Sequence, residues 1–502
     1  MKKIAALALS TALVSPAMVS TSASAQEVVQ ASSTWYTDAQ SAMQERIARQ
    51  PNTNRATNII LFIADGMGVG TNYAVRLFDG QQKGMLGEEN VLPYETFPNL
   101  ALVKTYNINA QTPDSAPTAG SMNTGVKQVF NTINVNDQVI HDDCASQQGK
   151  GLTLFSEMMS SAGKSVGIVS TARITHATPA AVYAKTANRN WEGDAPEGCA
   201  DIASQLIDAM KAGTVDLAMG GGRRYFMPAD VATDEGGKGR RKDANNLVEA
   251  AKSAGMQYAW NTDTFKGLKL DGKTPVLGLF EDSHMKYEHD RDAAEEPSLS
   301  DMTKAAIEYL ANNKNGYYLE IEAGRVDHAN HDGNLYRTLT DGVEFARAVA
   351  MADEMTDDAD TLIIVTADHE HAIAFNGYCG RGSPINGLCY KVAKGQVKHG
   401  DEPLKADDGK PYTVVGYLNG TGAVLTKQGD ETYFGTRPNL TQEQATDPDY
   451  IQQALIPMSS ETHSGEDVAV YAKGPWAHLF DGTIEQNYVF HVMNQAVTAA
   501  SN

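Results

Sequence analysis

Cysteine is scarce in this sequence, with four among 502 residues, and no two of them form a CxxC pair. That excludes a disulfide-dense scaffold and a cysteine-ligated zinc module. Positive charge is also in deficit. Lys and Arg number 41 against 62 Asp and Glu, a formal net charge of −21. Nucleic-acid binding calls for the opposite balance, so no nucleic-acid partner is expected. The single GxSxG match, Gly163 to Gly167, opens the apolar run Ser165–Val169 instead of following a strand, so it is not the strand-to-helix elbow of a Ser-His-Asp hydrolase. No fixed-period repeat or low-complexity tract is present. The leading apolar run, residues 4–15, is too short to cross a bilayer, and no other stretch is a candidate for doing so.

What is there is the composition of an ordinary globular protein, 42% hydrophobic and 21% charged, in a chain long enough for a sizeable core. The leading run follows Lys2 and Lys3 and precedes Ala23-Ser24-Ala25, the layout of a cleavable export signal. The expectation is a signal peptide over residues 1–25, cut after Ala25, and a periplasmic or secreted mature protein without a membrane anchor. Export permits disulfides. Four cysteines allow three connectivities, and the short loop between Cys379 and Cys389 favours that pair, leaving Cys144 with Cys199. The acidic balance does not exclude an anionic substrate, but local cations in the site would have to attract it.

Apolar β-type runs alternate with amphipathic stretches over most of the chain. The runs include Asn58–Ala64, Ser165–Val169, Val215–Met219, Tyr317–Ile321 and Thr361–Thr366. Between them lie Cys199–Lys211, Ala244–Ala254 and Ser300–Asn312. Continuous apolar strands alternating with helices predict an α/β fold, a large mostly parallel sheet flanked by helices, as one domain over residues 26–502. Residues 376–458 differ. They are rich in Gly, Asn, Lys and Asp, and only short strands such as Thr413–Leu418 and Gly422–Leu425 stand out. They read as a small insertion lobe. The core pattern returns at Asp467–Tyr471 and in a final helix at Ile484–Ala499.

In open α/β sheets, ligands bind outside the carboxyl ends of the strands. Asp65 ends the first run, Glu322 ends YYLEI, Asp368 and His369 follow TLIIVTA, and His463 precedes DVAVYA. A single acid at a strand end is commonly a cap or turn former. Four such ends in one sheet are harder to explain that way. Asp327 and His331 lie four apart, on one face of a helical turn. Carboxylates with imidazoles suit zinc. His371 is assigned no ligand role. Ser115 follows Asp114 and opens the helix-prone Ala116–Gly125. A serine there is ordinarily an N-cap, but helix-start N–H groups also stabilise anions, and a neighbouring zinc could activate the hydroxyl without a histidine base. Arginine is the natural clamp for phosphate. Arg189 is one candidate, and the residue pattern does not separate it from Arg173 or Arg223.

The segments NIILFIADGMG, PDSAPTAGSMNTG, THATPAAVYAKTANRNW, MGGGRRYF, IEAGRVDHANHDGN, VTADHEHA and ETHSGEDVAVYAKGP resemble the alkaline phosphatase family, in this order and over nearly the whole mature chain. The resemblance implies hydrolysis of phosphate monoesters at alkaline pH through a phosphorylated Ser115, with two zinc ions and one magnesium ion. It implies Asp327, His331 and His463 on one zinc, and Asp65, Asp368 and His369 on the other. Magnesium would take Asp65, Thr178 and Glu322, and Arg189 would grip two phosphate oxygens. Two positions beside the metals vary within the family. One bacterial member has an Asp and a Lys there, whereas His176 and His328 are similar to the animal members. That difference implies weaker phosphate contact and faster product release. The lobe at 376–458 resembles the animal "crown" insertion, which implies a homodimer. Phe280, Glu281 and Glu296 resemble part of an animal calcium site, with Glu296 where an Asp is expected.

Two rival readings stand beside this one. A phosphodiesterase or sulfatase of the same metal-site superfamily would favour a Thr or Cys nucleophile. A periplasmic phosphate- or metal-binding protein would need no Ser115.

Overall fold

The computed structural model describes residues 28–430 and 432–500. The expected signal peptide and its cleavage site lie outside the described residues. The chain divides into two units at Gln50. The described part of the first contains a short 3-10 turn, Val29–Ser32, and a helix, Thr34–Ala48, neither of which buries a residue. The second unit, Pro51–Asn502, holds everything discussed below.

Its centre is a ten-stranded sheet. In chain order the strands are β1 (Asn58–Ala64), β2 (Asn99–Lys104), β3 (Ser165–Arg173), β4 (Leu217–Gly221) and β5 (Gln257–Ala259). They continue with β6 (Val276–Leu279), β7 (Tyr317–Ala323), β8 (Thr361–Thr366), β9 (Val468–Lys473) and β10 (Thr483–Glu485). The spatial order is β10-β2-β9-β8-β1-β7-β3-β4-β6-β5. Every pairing is parallel except those of β9, which runs antiparallel to both β8 and β2. The middle strands β1, β7 and β8 are buried along nearly their whole length, as their unbroken apolar character requires when both faces are covered. Two apolar clusters fill the two faces.

This order positions the site. The carboxyl ends of β8, β1, β7 and β3 lie side by side, and antiparallel β9 starts at the same edge. The acids and histidines at those ends therefore converge.

The sequence-based boundaries hold for most elements and fail at two. Gly422–Leu425 is not a strand. Only Ala423 forms a bridge, to Ala454, and a Cβ at Gly422 would stand 2.0 Å from the Gln452 carbonyl oxygen, so backbone contact replaces a ladder there. The C-terminal helix runs Tyr488–Thr498, and Thr483–Glu485 forms the edge strand β10 instead. The helical pattern is interrupted because Gln486 turns inward, is buried, and donates to the Asp368 carbonyl at 2.8 Å. The 376–458 region contributes to a three-stranded sheet (Ile373–Phe375, Val415–Gly420, Ala454–Pro457) and a two-stranded one (Thr426–Lys427, Tyr433–Phe434). Both disulfides, Cys144–Cys199 and Cys379–Cys389, are formed as expected.

Candidate active site

Ser115 is the first residue of the helix Ser115–Thr124. Asp114 is its N-cap, accepting from the Ala116 N–H at 3.2 Å. Ser115 therefore does not do the capping, and its hydroxyl is free for other use. Its buried Oγ lies 3.1 Å from His369 Nε2 and 3.4 Å from Asp65 Oδ1. Those two atoms are 3.4 Å apart, and His369 Nε2 is 3.3 Å from Asp368 Oδ2. Asp65, Asp368, His369 and Ser115 thus surround one point.

A second group adjoins it. Asp327 Oδ1 lies 3.3 Å from His331 Nε2 and 3.2 Å from His463 Nε2, and those two nitrogens are 3.1 Å apart. The Nδ1 atoms of both rings face carbonyl oxygens, Glu461 for His331 at 2.6 Å and Pro113 for His463 at 2.9 Å. A ring nitrogen facing a carbonyl carries hydrogen, so each ring in its neutral form would turn a bare lone pair at Nε2. Two imidazole nitrogens and a carboxylate oxygen converge there, a donor set that suits a metal cation.

Further buried polar atoms here lack any hydrogen-bond partner: Asp65 Oδ2, Asp368 Oδ2, Glu322 Oε1, Thr178 Oγ1 and His369 Nδ1. Buried polar atoms are ordinarily paired, so these orphans fit metal ligands. Burial, with Asp368, Asp327 and Glu322 adding repulsion, pushes Asp65 well above the carboxylate range. Burial likewise raises Asp368, and lifts Glu322 to about 7 against the opposing hydroxyl of Ser170. Asp327 goes the other way. Burial would raise it, but His331, His371 and His463 together hold it well below the usual range. Cations at the two points would relieve the crowding of acids.

Local structure fixes these groups. Gly66 has φ +68° and a Cβ there would meet His371 Nε2 at 2.3 Å, so only glycine fits after Asp65. Its N–H donates to Asp368 Oδ1 at 3.0 Å, tying the end of β1 to the end of β8. A short antiparallel pair sets His463 opposite His371.

Arg189 is the arginine that reaches the site. Its guanidinium pairs with Asp114 and with His176 Nε2 at 2.9 Å. Arg173 is held by both oxygens of Glu192, and Arg223 is buried against Glu235 and backbone carbonyls. His176 and His328 sit together, their ring centres 5.4 Å apart. Burial lowers the pKa of both, His328 to about 3, so both imidazoles are neutral. His284 was not anticipated. Its ring centre lies 4.0 Å from that of His328, the rings tilted by 56°, and its neighbour Arg173 lies against it.

His371, assigned no role from the sequence, is fully enclosed between carboxylates. Burial disfavours its charge, but Glu461 and Asp327 outweigh that and push its pKa up to about 10. Phe280, Glu281 and Glu296 do not join the central group. They line a separate cavity of about 240 Å³, together with Glu235, which the sequence reading missed.

An alkaline phosphatase family model matches residues 56–499. The chain belongs to the alkaline phosphatase family. It is thereby a phosphatase. It is 40% identical over 487 residues to the tissue-nonspecific alkaline phosphatase of Gallus gallus, covering 93% of this chain and 90% of that one. Identity to an alkaline phosphatase of Gadus morhua is also 40%, covering 93% and 97%. The fold is shared with a Thermus thermophilus alkaline phosphatase structure, with TM-score 0.63, 22% identity, and 90% and 93% of the two chains covered. The matched range contains every residue of the central cluster. The two disulfides fit an oxidising compartment. Among the described residues, no helix is long and apolar enough to cross a membrane.

Proposed function

We propose that this chain hydrolyses phosphate monoesters by way of a phosphorylated Ser115, using two zinc ions and one magnesium ion. The observation that carries this is Ser115 Oγ at a helix start, within 3.4 Å of Asp65 and 3.1 Å of His369, beside a converging carboxylate and imidazole set that suits a metal cation. One metal would be held by Asp327, His331 and His463, a second by Asp65, Asp368 and His369. Magnesium would be held by Asp65, Thr178 and Glu322. Bound zinc supplies Lewis acidity and a lowered pKa for a neighbouring hydroxyl.

The chain's own residues do the rest. Arg189, oriented by Asp114 and His176, takes two phosphate oxygens and neutralises charge that spreads in a loose transition state. The N–H groups at the start of the Ser115 helix add to that. Ser115 Oγ forms a bond to phosphorus as the bond to the alcohol oxygen breaks, and the alcohol leaves with a proton. Water then attacks phosphorus, the bond to Ser115 breaks, and the serine oxygen regains its proton. Every contact named is to phosphate, so many monoesters should be accepted. Neutral His176 and His328 near Arg189 add no positive charge, in keeping with rapid phosphate release.

Glu235, Glu281, Glu296 and Phe280 around their cavity are the calcium candidates. The lobe exposes Tyr378, Val392, Phe434 and Leu455, apolar surface that suits a second copy of the chain. The protein is proposed to be exported and cut after Ala25.

Hydrolysis of p-nitrophenyl phosphate at alkaline pH tests the reading. Activity should vanish in EDTA, return with zinc plus magnesium, and fall at least about a thousandfold in Ser115→Ala. Light scattering on the same preparation should give twice the chain mass. A fully metal-loaded protein that is inactive, or a Ser115→Ala variant as active as the parent, would overturn it.

A further inference from the structure

Glu461 is two residues before His463 and is buried, with 1% of its surface exposed. It has no place in the reaction described above. Its side chain has two hydrogen-bond partners, and His331 Nδ1 lies 3.8 Å from Oε2. Oε1 accepts from the Ala372 N–H at 2.7 Å, and Oε2 lies 2.6 Å from His371 Nδ1. The far nitrogen of that same ring, His371 Nε2, is 2.8 Å from Asp327 Oδ1. Asp327 Oδ1 is the atom on which His331 and His463 converge.

The main chain of Glu461 adds a second hold. Its carbonyl receives His331 Nδ1 at 2.6 Å, and its N–H donates to the His331 carbonyl at 3.0 Å. One residue therefore grips His331 directly and Asp327 through one intervening ring. The two routes enter from different elements, the turn before His463 and the short strand Glu370–His371. Outer partners of this kind orient metal ligands and fix which nitrogen is bare, and losing one weakens metal affinity by about 10–100-fold.

We propose that Glu461 is a positioning residue for the metal held by Asp327, His331 and His463, acting on Asp327 through His371. This rests on the reading of those three residues as metal ligands. The route is specific. It predicts that the side chains of Glu461 and His371 act as one unit, because removing either leaves the Asp327 carboxylate without its clamp. The Asp65, Asp368 and His369 group has separate supports, the Gly66 N–H and Gln486, and keeps its metal.

Zinc affinity of the full-length protein, measured by competition with a chromogenic chelator, tests this without using activity. Glu461→Ala and His371→Ala should each weaken one zinc equivalent by about 10–100-fold and leave the second unchanged. Glu461→Gln keeps one oxygen and should lose less. The double variant Glu461→Ala/His371→Ala should be no weaker than His371→Ala alone. Wild-type protein that takes up no zinc would overturn the underlying functional reading. Wild-type protein that binds zinc, with Glu461→Ala and Glu461→Gln binding equally well, would overturn the positioning role. So would losses that add in the double variant.

Discussion

Two regions of this molecule gather carboxylates, and they treat them differently. In the central cluster, oxygens of Asp65, Asp368 and Glu322 are buried with no partner, and imidazole nitrogens converge beside them. In the Glu281–Glu296 cavity the acids already have partners. Lys286 reaches Glu281 at 3.0 Å, Arg223 reaches Glu235 at 2.7 Å, and Glu296 accepts from the Lys286 N–H at 3.0 Å. The first arrangement suits cations. The second is partly neutralised by the chain itself, so an incoming cation there must displace Lys286. Acidic residues alone do not distinguish the two. What distinguishes them is whether the surrounding chain has left their lone pairs unanswered.

The comparison can be sharpened by experiment. The largest effect is expected at the one guanidinium that serves the central cluster. Arg189→Ala should cut kcat/KM by about 100- to 1,000-fold, since it removes preorganised positive charge aimed at the phosphoryl group. Steady-state kinetics on p-nitrophenyl phosphate read this. A loss no larger than that of Arg173→Ala, whose guanidinium is spent on Glu192, would erase the distinction between the two arginines.

A middling effect is expected at the outer cavity. With calcium at about a hundred times its Kd, a filled site adds about 2.7 kcal/mol to stability. Calcium should therefore raise the wild-type Tm and leave Glu296→Gln unmoved, while zinc content stays the same in both. A wild-type Tm indifferent to calcium would mean that Lys286 and Arg223 suffice there.

The smallest effect concerns Asp341, a buried acid in neither cluster. Burial pushes its pKa up to about 8, and it accepts from the Glu288 N–H at 3.1 Å. Its folded pKa exceeds its unfolded value of about 4, so the folded chain keeps a proton there that the unfolded chain loses. Stability from this group is therefore complete below about pH 4 and is lost as pH rises towards about 8. Asp341→Asn should remove about 1–3 kcal/mol of that decline between about pH 5 and pH 8, seen in urea midpoints. An unchanged pH dependence would show that Asp341 is ionised throughout.

Much of this molecule was legible in its sequence. Short, unbroken apolar runs such as NIILFIA and TLIIVT that alternate with amphipathic stretches read as strands covered on both faces, so the sheet and its mostly parallel sense follow from that pattern. The residues at their carboxyl ends follow too, because chain order places Asp65, Glu322 and Asp368 just past those runs. The illegible parts are those fixed by contacts distant in sequence. Glu461 and His371 are 90 residues apart and meet across a two-residue ladder. Gln486 looked like the inside of a helix, yet its side chain is spent on a carbonyl 118 residues away. His284 and Glu235 carry no local signal at all, since each matters only through what another loop brings beside it.

The sequence by itself thus determined the fold class, the strand ends and the identity of the groups that could hold metal, because periodicity and residue chemistry are local properties. Only the tertiary structure decided which buried oxygens were left without partners, which arginine pairs with Asp114 beside Ser115, and which outer residues touch the cluster. Those depend on burial and on partners that the chain supplies from far away.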